Sequence, residues 1–245
     1  MIEPALRWPT DAWSFGGRSI VYAIRRSPRA RALNVLVHPS CGVVVTAPLR
    51  VEREAIIAFL TRHRSWIVRQ VDRLAAVAAA LPRRWPYGPT LPYLGQEHHV
   101  EIRQEPGRGQ ATRMPDAAVV KVRMPQPTID AARRVLQRWY RAEALHWCTE
   151  RTTVWGERLG VTWTQVAIRN QRTRWGSCSA RGSLSFNYRL VMAPLPVLDY
   201  VIVHELAHRR EMNHSARFWG LVAAHVPDYR HALGWLKRHG AFLEF

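Results

Sequence analysis

Residues 196–215 of this 245-residue chain read PVLDYVIVHELAHRREMNHS and carry its strongest structural signal. His204 and His208 stand four positions apart, so on a helix they lie on one face, one turn above the other. Two imidazoles in this arrangement can bind one zinc ion. Glu205 stands beside that face, where its carboxylate can accept a proton from a zinc-bound water that attacks a carbonyl carbon. The stretch therefore predicts a hydrolytic zinc site.

Nearly every other residue around the motif is apolar, which predicts a buried helix over residues 197–211. Pro196 is suited to the first helical position, because its missing N–H has no helical partner there. A buried glutamate and two buried histidines are costly unless they are paired or bound to a metal. Two core histidines beside a surface glutamate are therefore a weaker interpretation than a metal site.

A catalytic zinc ion needs three protein ligands and one open position, and two residues compete for the third place. Glu211 shares the helical face of His204 but lies about 10 Å along the axis, at about 1.5 Å per residue. His214 can swing back to the metal if the helix ends first. Asn213 tolerates the left-handed conformation that ends helices, and Ser215 can cap the next helix. The spacing favours His214, with Glu211 as a partner of a ligand or in a salt bridge at the helix end.

The composition excludes several classes of protein. Hydrophobic residues make up 47% of the chain and charged residues 22%, which argues against disorder or coiled coil over the whole length. The three cysteines form no C-x-x-C pair, so neither a disulfide framework nor a cysteine zinc site is indicated. The longest apolar run, residues 74–81, is far shorter than a membrane span, and the start of the chain lacks the pattern of a signal peptide. These features predict a soluble, cytoplasmic protein with no membrane partner.

The chain carries a formal net charge of +18, from 36 lysines and arginines against 18 acidic residues. The excess is spread over both halves, with 19 basic and 9 acidic residues in 1–125 and 17 and 9 in 126–245. Arginine-rich solvated faces account for this distribution. It also predicts weak, non-specific binding of nucleic acid, because no helix-turn-helix, zinc finger or interleaved basic–aromatic strand is present to read bases.

The predicted fold class is α+β. Short β-branched stretches separated by proline and glycine predict strands on both sides of a long helix over 51–81. The Pro125-Gln126-Pro127 sequence favours a linker, and no internal repeat is visible. The chain is therefore predicted to contain an irregular segment at 1–17, a β-rich region with one long helix at 18–125, and a catalytic domain at 126–245.

The second half of the sequence predicts mainly helices, with two strands among them. Thr128 is a suitable N-cap for a long helix that ends before Gly160. The strands are predicted at 161–168 and 183–190, and helices at about 215–224 and 228–239 follow the motif helix. An extended peptide can pair with strand 183–190 if that strand lies at a sheet edge, although its polar residues also fit an ordinary solvated face.

Peptide hydrolysis requires a group that stabilises the oxyanion. The candidates for this or another substrate contact are Asn187, Arg174 and Tyr229, and the sequence does not choose among them. Cys178 has two interpretations, a small buried residue or an inhibitory thiolate that approaches the metal.

Several segments of the second half resemble the YgjP-like zinc metallopeptidase family, which is related to the SprT-like and WLM metallopeptidases. The resemblance extends over residues 30–236 and is carried by HELAH at 204–208, NHS at 213–215, FW at 218–219, RWGSCS at 174–179, Asn187, Arg189-Leu190 and Asp199-Tyr200-Val201.

The resemblance implies a zincin-like domain that acts as a zinc metalloendopeptidase on polypeptide substrates. It implies one zinc ion per chain, held by His204, His208 and His214, with Glu205 as general base. A metzincin is disfavoured, since Glu211 occupies the position of the glycine before the third ligand and no methionine turn follows.

Two other functions stay open at this point. The charge of +18 and the kinship with SprT-like proteins suggest a DNA-associated protease that acts on DNA-bound proteins. A non-catalytic binding module stabilised by zinc is the other possibility. Glu205 argues against such a module, because a purely structural site needs no general base and is usually closed by four protein ligands.

Overall fold

The computed structural model describes residues 8–39, 41–81, 84–86, 88–114, 116–171 and 174–243. Helices and mixed sheets are both present, so the predicted α+β class is confirmed. The chain divides into two compact units, Met1–Leu81 and Pro82–Phe245, each with its own hydrophobic core. Within the described part of the chain, no helix combines the length and the apolar character needed to cross a membrane.

The first unit is a four-stranded sheet followed by two helices. The strands lie in the order β1-β2-β4-β3, with β2 and β4 parallel and the outer pairs antiparallel. Its elements are β1 (Thr10–Phe15), β2 (Arg18–Arg26), β3 (Asn34–His38), β4 (Gly42–Ala47), α1 (Arg53–Arg62) and α2 (Arg64–Ala80).

Two predictions for this unit are wrong. The segment 1–17, predicted to be irregular, contains β1, which forms a hairpin with β2 through Gly16 and Gly17 at φ +51° and +75°. Positive φ at both central residues gives the turn that matches strand twist, and Trp13 on β1 is only 3% exposed. Residues 1–7 of the predicted segment lie outside the described residues.

The single long helix predicted at 51–81 is two helices that meet at His63, where φ is −97° and ψ is 11°. The hydrophobic spacing continues through the junction, because Ile56, Leu60, Ile67 and Leu74 are all buried. No proline or glycine marks the break, so periodicity alone could not locate it.

The second unit begins with another four-stranded sheet, in the order β5-β6-β8-β7. Its pairing repeats that of the first sheet, antiparallel, parallel and antiparallel, and a helix follows it as well. The two sheets share this pattern of strand pairing, but their amino-acid sequences show no internal repeat. The strands are β5 (Thr90–Tyr93), β6 (Gln96–Gln104), β7 (Gln110–Met114) and β8 (Val119–Met124).

The predicted domain boundary at 125/126 differs from the division that the structure makes after Leu81. Val122 and Leu136, on either side of the predicted boundary, belong to one hydrophobic core. The turn after β5 also contacts the second half of the chain, since the Leu94 backbone N–H donates to the Val191 carbonyl at 2.7 Å. The Pro125-Gln126-Pro127 sequence is therefore a connection inside one unit.

The rest of this unit surrounds the histidine motif. Thr128 Oγ1 accepts a hydrogen bond from the Ala131 N–H, and Gly160 ends the helix at φ +60°, so both predicted helix ends are confirmed. The elements are α3 (Ile129–Leu159), β9 (Gln165–Arg169), β10 (Gly176–Cys178), β11 (Ser183–Asn187), a 3-10 turn (Tyr188–Met192), α4 (Leu195–Ala207), α5 (Ala216–His225) and α6 (Tyr229–His239).

The strand at 183–190 was expected at a sheet edge, and this prediction is wrong. Its regular part is β11, which lies between β10 and β9 in the small sheet. It pairs antiparallel with β10 and parallel with β9, so both of its sides are occupied. The strand that borders the motif from the edge of the sheet is β10 (Gly176–Cys178).

Candidate metal centre and active site

Helix α4 carries the motif, and ten of its thirteen residues are buried. The prediction of a buried helix is therefore confirmed, although its extent is shorter than 197–211. The helix begins after Pro194 and ends at His208, which is the C-cap residue. Arg209 then binds the backbone of two neighbouring loops, with Nε donating to the Thr162 carbonyl at 3.0 Å and Nη1 to the Ala180 carbonyl at 2.9 Å.

The early end of α4 lets the chain turn back toward the motif. Ser215 caps α5 as predicted, with its Oγ accepting a hydrogen bond from the Phe218 N–H at 3.3 Å. The returning segment brings His214 Nε2 to 3.1 Å from His204 Nε2. One ring nitrogen from each of His204, His208 and His214 lies within 4.8 Å of the other two. The structure thus brings the three predicted ligands together.

The protonation of these rings suits metal binding. His208 Nδ1 lies 3.1 Å from the Glu211 carbonyl oxygen, which can only accept, so Nδ1 carries the proton and Nε2 keeps its lone pair. Burial, together with the neighbouring His208 and His214, lowers the pKa of His204 to about 4. Burial also lowers the pKa of His208. Neutral imidazoles are the form that coordinates zinc, so the donor set fits the ion.

Glu211 supports a ligand through its backbone and lies outside the histidine cluster. Its carbonyl holds the His208 ring, and its carboxylate is 3.9 Å from Arg217 Nε. A backbone carbonyl that accepts a hydrogen bond from one ring nitrogen orients a metal-binding imidazole and selects its tautomer. Both roles that the sequence left open for Glu211, partner of a ligand and helix-end salt bridge, are present.

Aromatic rings surround the three histidines. The Phe218 ring centroid lies 4.6–4.9 Å from each imidazole centroid. On the other side, Trp219 stacks on His214 with an interplanar angle of 26°, and Tyr229 stacks on Trp219 with an angle of 21°. Tyr200 completes the row against Tyr229. This packing restricts the ring orientations before any metal is bound.

Glu205 lies against the backbone of β10. The residue is 6% exposed, and burial raises the pKa of its carboxyl group to about 7, while the charge of Arg174 lowers it. A Cβ atom placed on Gly176 would lie 2.6 Å from Glu205 Oε1. The position next to the predicted base therefore has room for glycine only.

A cavity of about 340 Å³ opens beside His204 and Glu205. Its walls come from α4, α6 and the start of β10. The other lining residues are Arg174, Trp175, Gly176, Tyr200, Val201, Leu233, Leu236 and Lys237.

The three predicted substrate residues have different positions. Arg174 lines the cavity, and Tyr229 belongs to the aromatic row beside His214. Asn187 is 2% exposed, and its Nδ2 donates to the Gln171 and Arg174 carbonyls at 2.7 and 3.2 Å. A direct substrate contact by Asn187 is therefore wrong, because its amide group holds the loop that leads into β10.

Sequence reasoning gave no site role to Tyr200, Gly176 or Lys237, although the first two lie in segments that carry the family resemblance. Tyr200 stands one turn before His204 on the same helix, so helical spacing alone indicates it. Lys237 is one of two lysines in the chain, but nothing in the sequence connects it with a motif some 30 positions earlier. Cys178 is half-buried, and its Sγ donates to the Ser179 carbonyl, which fits its interpretation as a packing residue.

Three histidine nitrogens beside a buried glutamate, on an α+β unit with an edge strand along the site, define a metallopeptidase. Comparison with family models leads to the same class. The model described as YgjP-like, metallopeptidase domain, matches residues 31–239, and the chain belongs to this YgjP-like family.

One solved structure is also similar to part of the chain, the crystal structure of the metallopeptidase zymogen of Pyrococcus abyssi abylysin. The match has 20% sequence identity and covers 37% of this chain and 96% of that one, with a TM-score of 0.33. A TM-score at this level is too low to establish a common fold. Comparison with curated proteins gives no significant match.

Proposed function

We propose that the protein is a zinc-dependent endopeptidase that cleaves polypeptide substrates. His204, His208 and His214 hold one zinc ion per chain, and Glu205 is the general base. The observation that carries the proposal is the approach of three imidazole nitrogens to within 4.8 Å of one another beside a buried carboxylate. A purely structural zinc site would need no such carboxylate, which disfavours a non-catalytic binding module.

Zinc held by His204, His208 and His214 would lower the pKa of a water ligand toward about 7 and would polarise the carbonyl group of the scissile bond. Glu205 accepts the proton of the attacking water at a carboxylate oxygen and then delivers it to the nitrogen of the departing amine. Burial of Glu205 supports this role, since it excludes competing water and strengthens the interaction of the carboxylate with charge in the site.

The edge strand β10 supports the binding of an extended peptide. β11 occupies one side of β10, and no other strand among the described residues lies on its opposite side. A substrate strand that pairs with β10 passes Glu205 at Gly176 and is held by backbone hydrogen bonds, with little demand on its side chains. Such pairing suits the interior of a chain, which favours an endopeptidase. Arg174 and Tyr229 are the candidates for substrate contact.

A second candidate is a DNA-associated protease that acts on DNA-bound proteins, and the net charge of +18 favours it. The even spread of basic residues supports only weak, sequence-independent binding. Cleavage stimulated by DNA, together with a complex that weakens steeply with salt, would support this candidate. A cytoplasmic location stays a prediction from the sequence.

The proposal predicts that His214→Ala loses both zinc and the cleavage of an unfolded protein. Removing one of three ligands leaves two imidazoles, which hold a divalent ion much more weakly. Zinc per chain is measured by elemental analysis, and cleavage by the appearance of new peptide termini. Glu211→Ala is the matched control, because its backbone carbonyl still holds His208.

The assignment of ligands fails if His214→Ala keeps full zinc occupancy while Glu211→Ala loses it. The endopeptidase proposal fails if the zinc-loaded wild-type chain cleaves no unfolded protein.

A further inference from the structure

We propose that Arg174 and Lys237 bind a carboxylate group of the substrate in the cavity beside Glu205, so that the enzyme prefers peptides with a carboxylate next to the scissile bond. This inference rests on the proposed peptidase function and specifies the substrate class for the same site. It comes from the charge and the walls of the cavity.

Two basic residues from separate parts of the chain line the cavity. Arg174 directly precedes β10, and Lys237 lies in the last turn of α6, and both are exposed. Neither takes part in an ion pair among the residues that the structure describes, where other arginines pair with the acidic groups. The one carboxylate that lines the cavity, Glu205, is buried in its wall.

The remaining walls are mainly apolar. Leu236, Val201 and Tyr200 are buried side chains with one surface on the cavity, and Trp175 is packed over the backbone of Gly240. Apolar walls lower the local dielectric constant, so they strengthen the attraction between the two cations and an anion. An uncharged substrate group would displace water from Arg174 and Lys237 without forming an ion pair with them. Its binding is therefore less favourable than that of a carboxylate.

The chemistry that fits these walls is a carboxylate on a short apolar stem. A glutamate or aspartate side chain of the substrate has this form, and so does a C-terminal residue with its α-carboxylate. The volume of about 340 Å³ falls within the range of pockets for small ligands, about 300–1,000 Å³. Recognition through the carboxylate is common to both sources.

The test uses fluorogenic peptides in two matched pairs and the zinc-loaded full chain. One pair has Glu or Gln next to the scissile bond, and the other ends in a free acid or an amide. We expect the wild type to favour the carboxylate member of at least one pair by about tenfold or more in kcat/KM, the factor of one charge-assisted hydrogen bond. A Glu preference identifies the side chain as the source and agrees with the proposed endopeptidase. An acid preference identifies the terminus, and the enzyme is then a carboxypeptidase in place of an endopeptidase.

Variants of Lys237 test whether the preference for a carboxylate arises in this cavity. Because Arg174 remains in place, Lys237→Gln should lower the ratio without abolishing it, and Lys237→Glu should lower it further and favour a peptide with Lys at the same position. Arg238→Gln is the control of equal charge on the same helix, outside the cavity lining, and should keep the wild-type ratio. Equal rates for both members of both pairs in the wild type overturn the inference. So does a wild-type ratio in both Lys237→Gln and Arg174→Gln.

A binding measurement separates this inference from the proposed function. Glu205→Gln keeps the cavity but removes the base, so calorimetry on this variant reports peptide affinity without turnover. Tighter binding of the carboxylate peptides supports the inference even if no peptide is cleaved. Cleavage of all peptides at one rate, with equal affinities, supports the peptidase and rejects the carboxylate preference.

Discussion

The backbone of Gly176 lies so close to the side chain of Glu205 that a larger residue at position 176 would clash with it. The glycine backbone runs directly along the carboxylate, and a methyl group on it would come within 2.7 Å of Glu205 Cγ. The three histidines lie outside this contact. Gly176 therefore restricts the position of Glu205, the proposed base, although it has no side chain to bind a metal or a proton.

Gly176→Ala should retain zinc and lose at least about tenfold in kcat/KM, because the displacement of a catalytic group by about 1 Å can cost about a hundredfold in rate. Zinc analysis and cleavage of a fluorogenic peptide measure the two effects. Gly220→Ala in α5 is the control, since nothing lies within 4 Å of a Cβ there. Full activity of Gly176→Ala would show that Glu205 is free to move.

The sequence was sufficient to predict the residues that spacing along one helix and its exit turn connects. His204, Glu205 and His208 follow from the four-residue period, and His214 follows from the turn before the Ser215 cap. Tyr200 also fits this helical spacing, since it stands one turn before His204. Gly176 and Lys237 join the site through the packing of β10 and α6 on α4. Contacts of this kind depend on the folded arrangement, and local pattern does not encode them.

Arg209 couples the end of the motif helix to the small sheet. It follows the ligand His208 directly, and its guanidinium donates to the carbonyls of Thr162 and Ala180. The side chain also packs over Gly182, whose φ is +82°. The contact connects the end of α4 with the loops before β9 and β11.

Arg209→Gln should lower the stability of the unit Pro82–Phe245, because two carbonyls lose a charged donor, at about 1–3 kcal/mol. For a unit of this size the melting temperature falls by about 2–4 °C per kcal/mol. Arg210→Gln is the control, since Arg210 makes one hydrogen bond, at 3.3 Å to the Gly160 carbonyl. Equal melting temperatures for the two variants would contradict this role for Arg209.

Helices whose ends carry capping or helix-ending residues could be predicted from the sequence. Element ends without such residues could not. Thr128 and Gly160 delimit α3 in the sequence as in the structure. The junction of α1 and α2 at His63 carries no such residue, and apolar spacing runs through it. The central place of β11 depends on β10, a strand of three residues that is too short for an alternating pattern to reveal.

At the scale of the whole molecule, the histidine site belongs to a unit that begins with a sheet. Val120, Val122 and Met124 of β8 share a core with α3, and the β5–β6 turn packs against Pro194 at the start of the motif helix. A boundary drawn at a proline-rich connection would separate this sheet from the helix that it supports. Proline and glycine indicate where the chain turns, but a domain boundary depends on which segments share a hydrophobic core.

We propose that Glu205 performs proton transfer at a site whose metal is held by other residues. The most direct test is zinc content together with hydrolysis of an unfolded protein, for the wild type and Glu205→Gln. Glu150→Gln on the exposed face of α3 is the control. We predict full zinc occupancy in all three proteins and a loss of at least about a hundredfold in hydrolysis for Glu205→Gln alone, the scale of one positioned acid–base group. Wild-type hydrolysis by zinc-loaded Glu205→Gln would contradict the account.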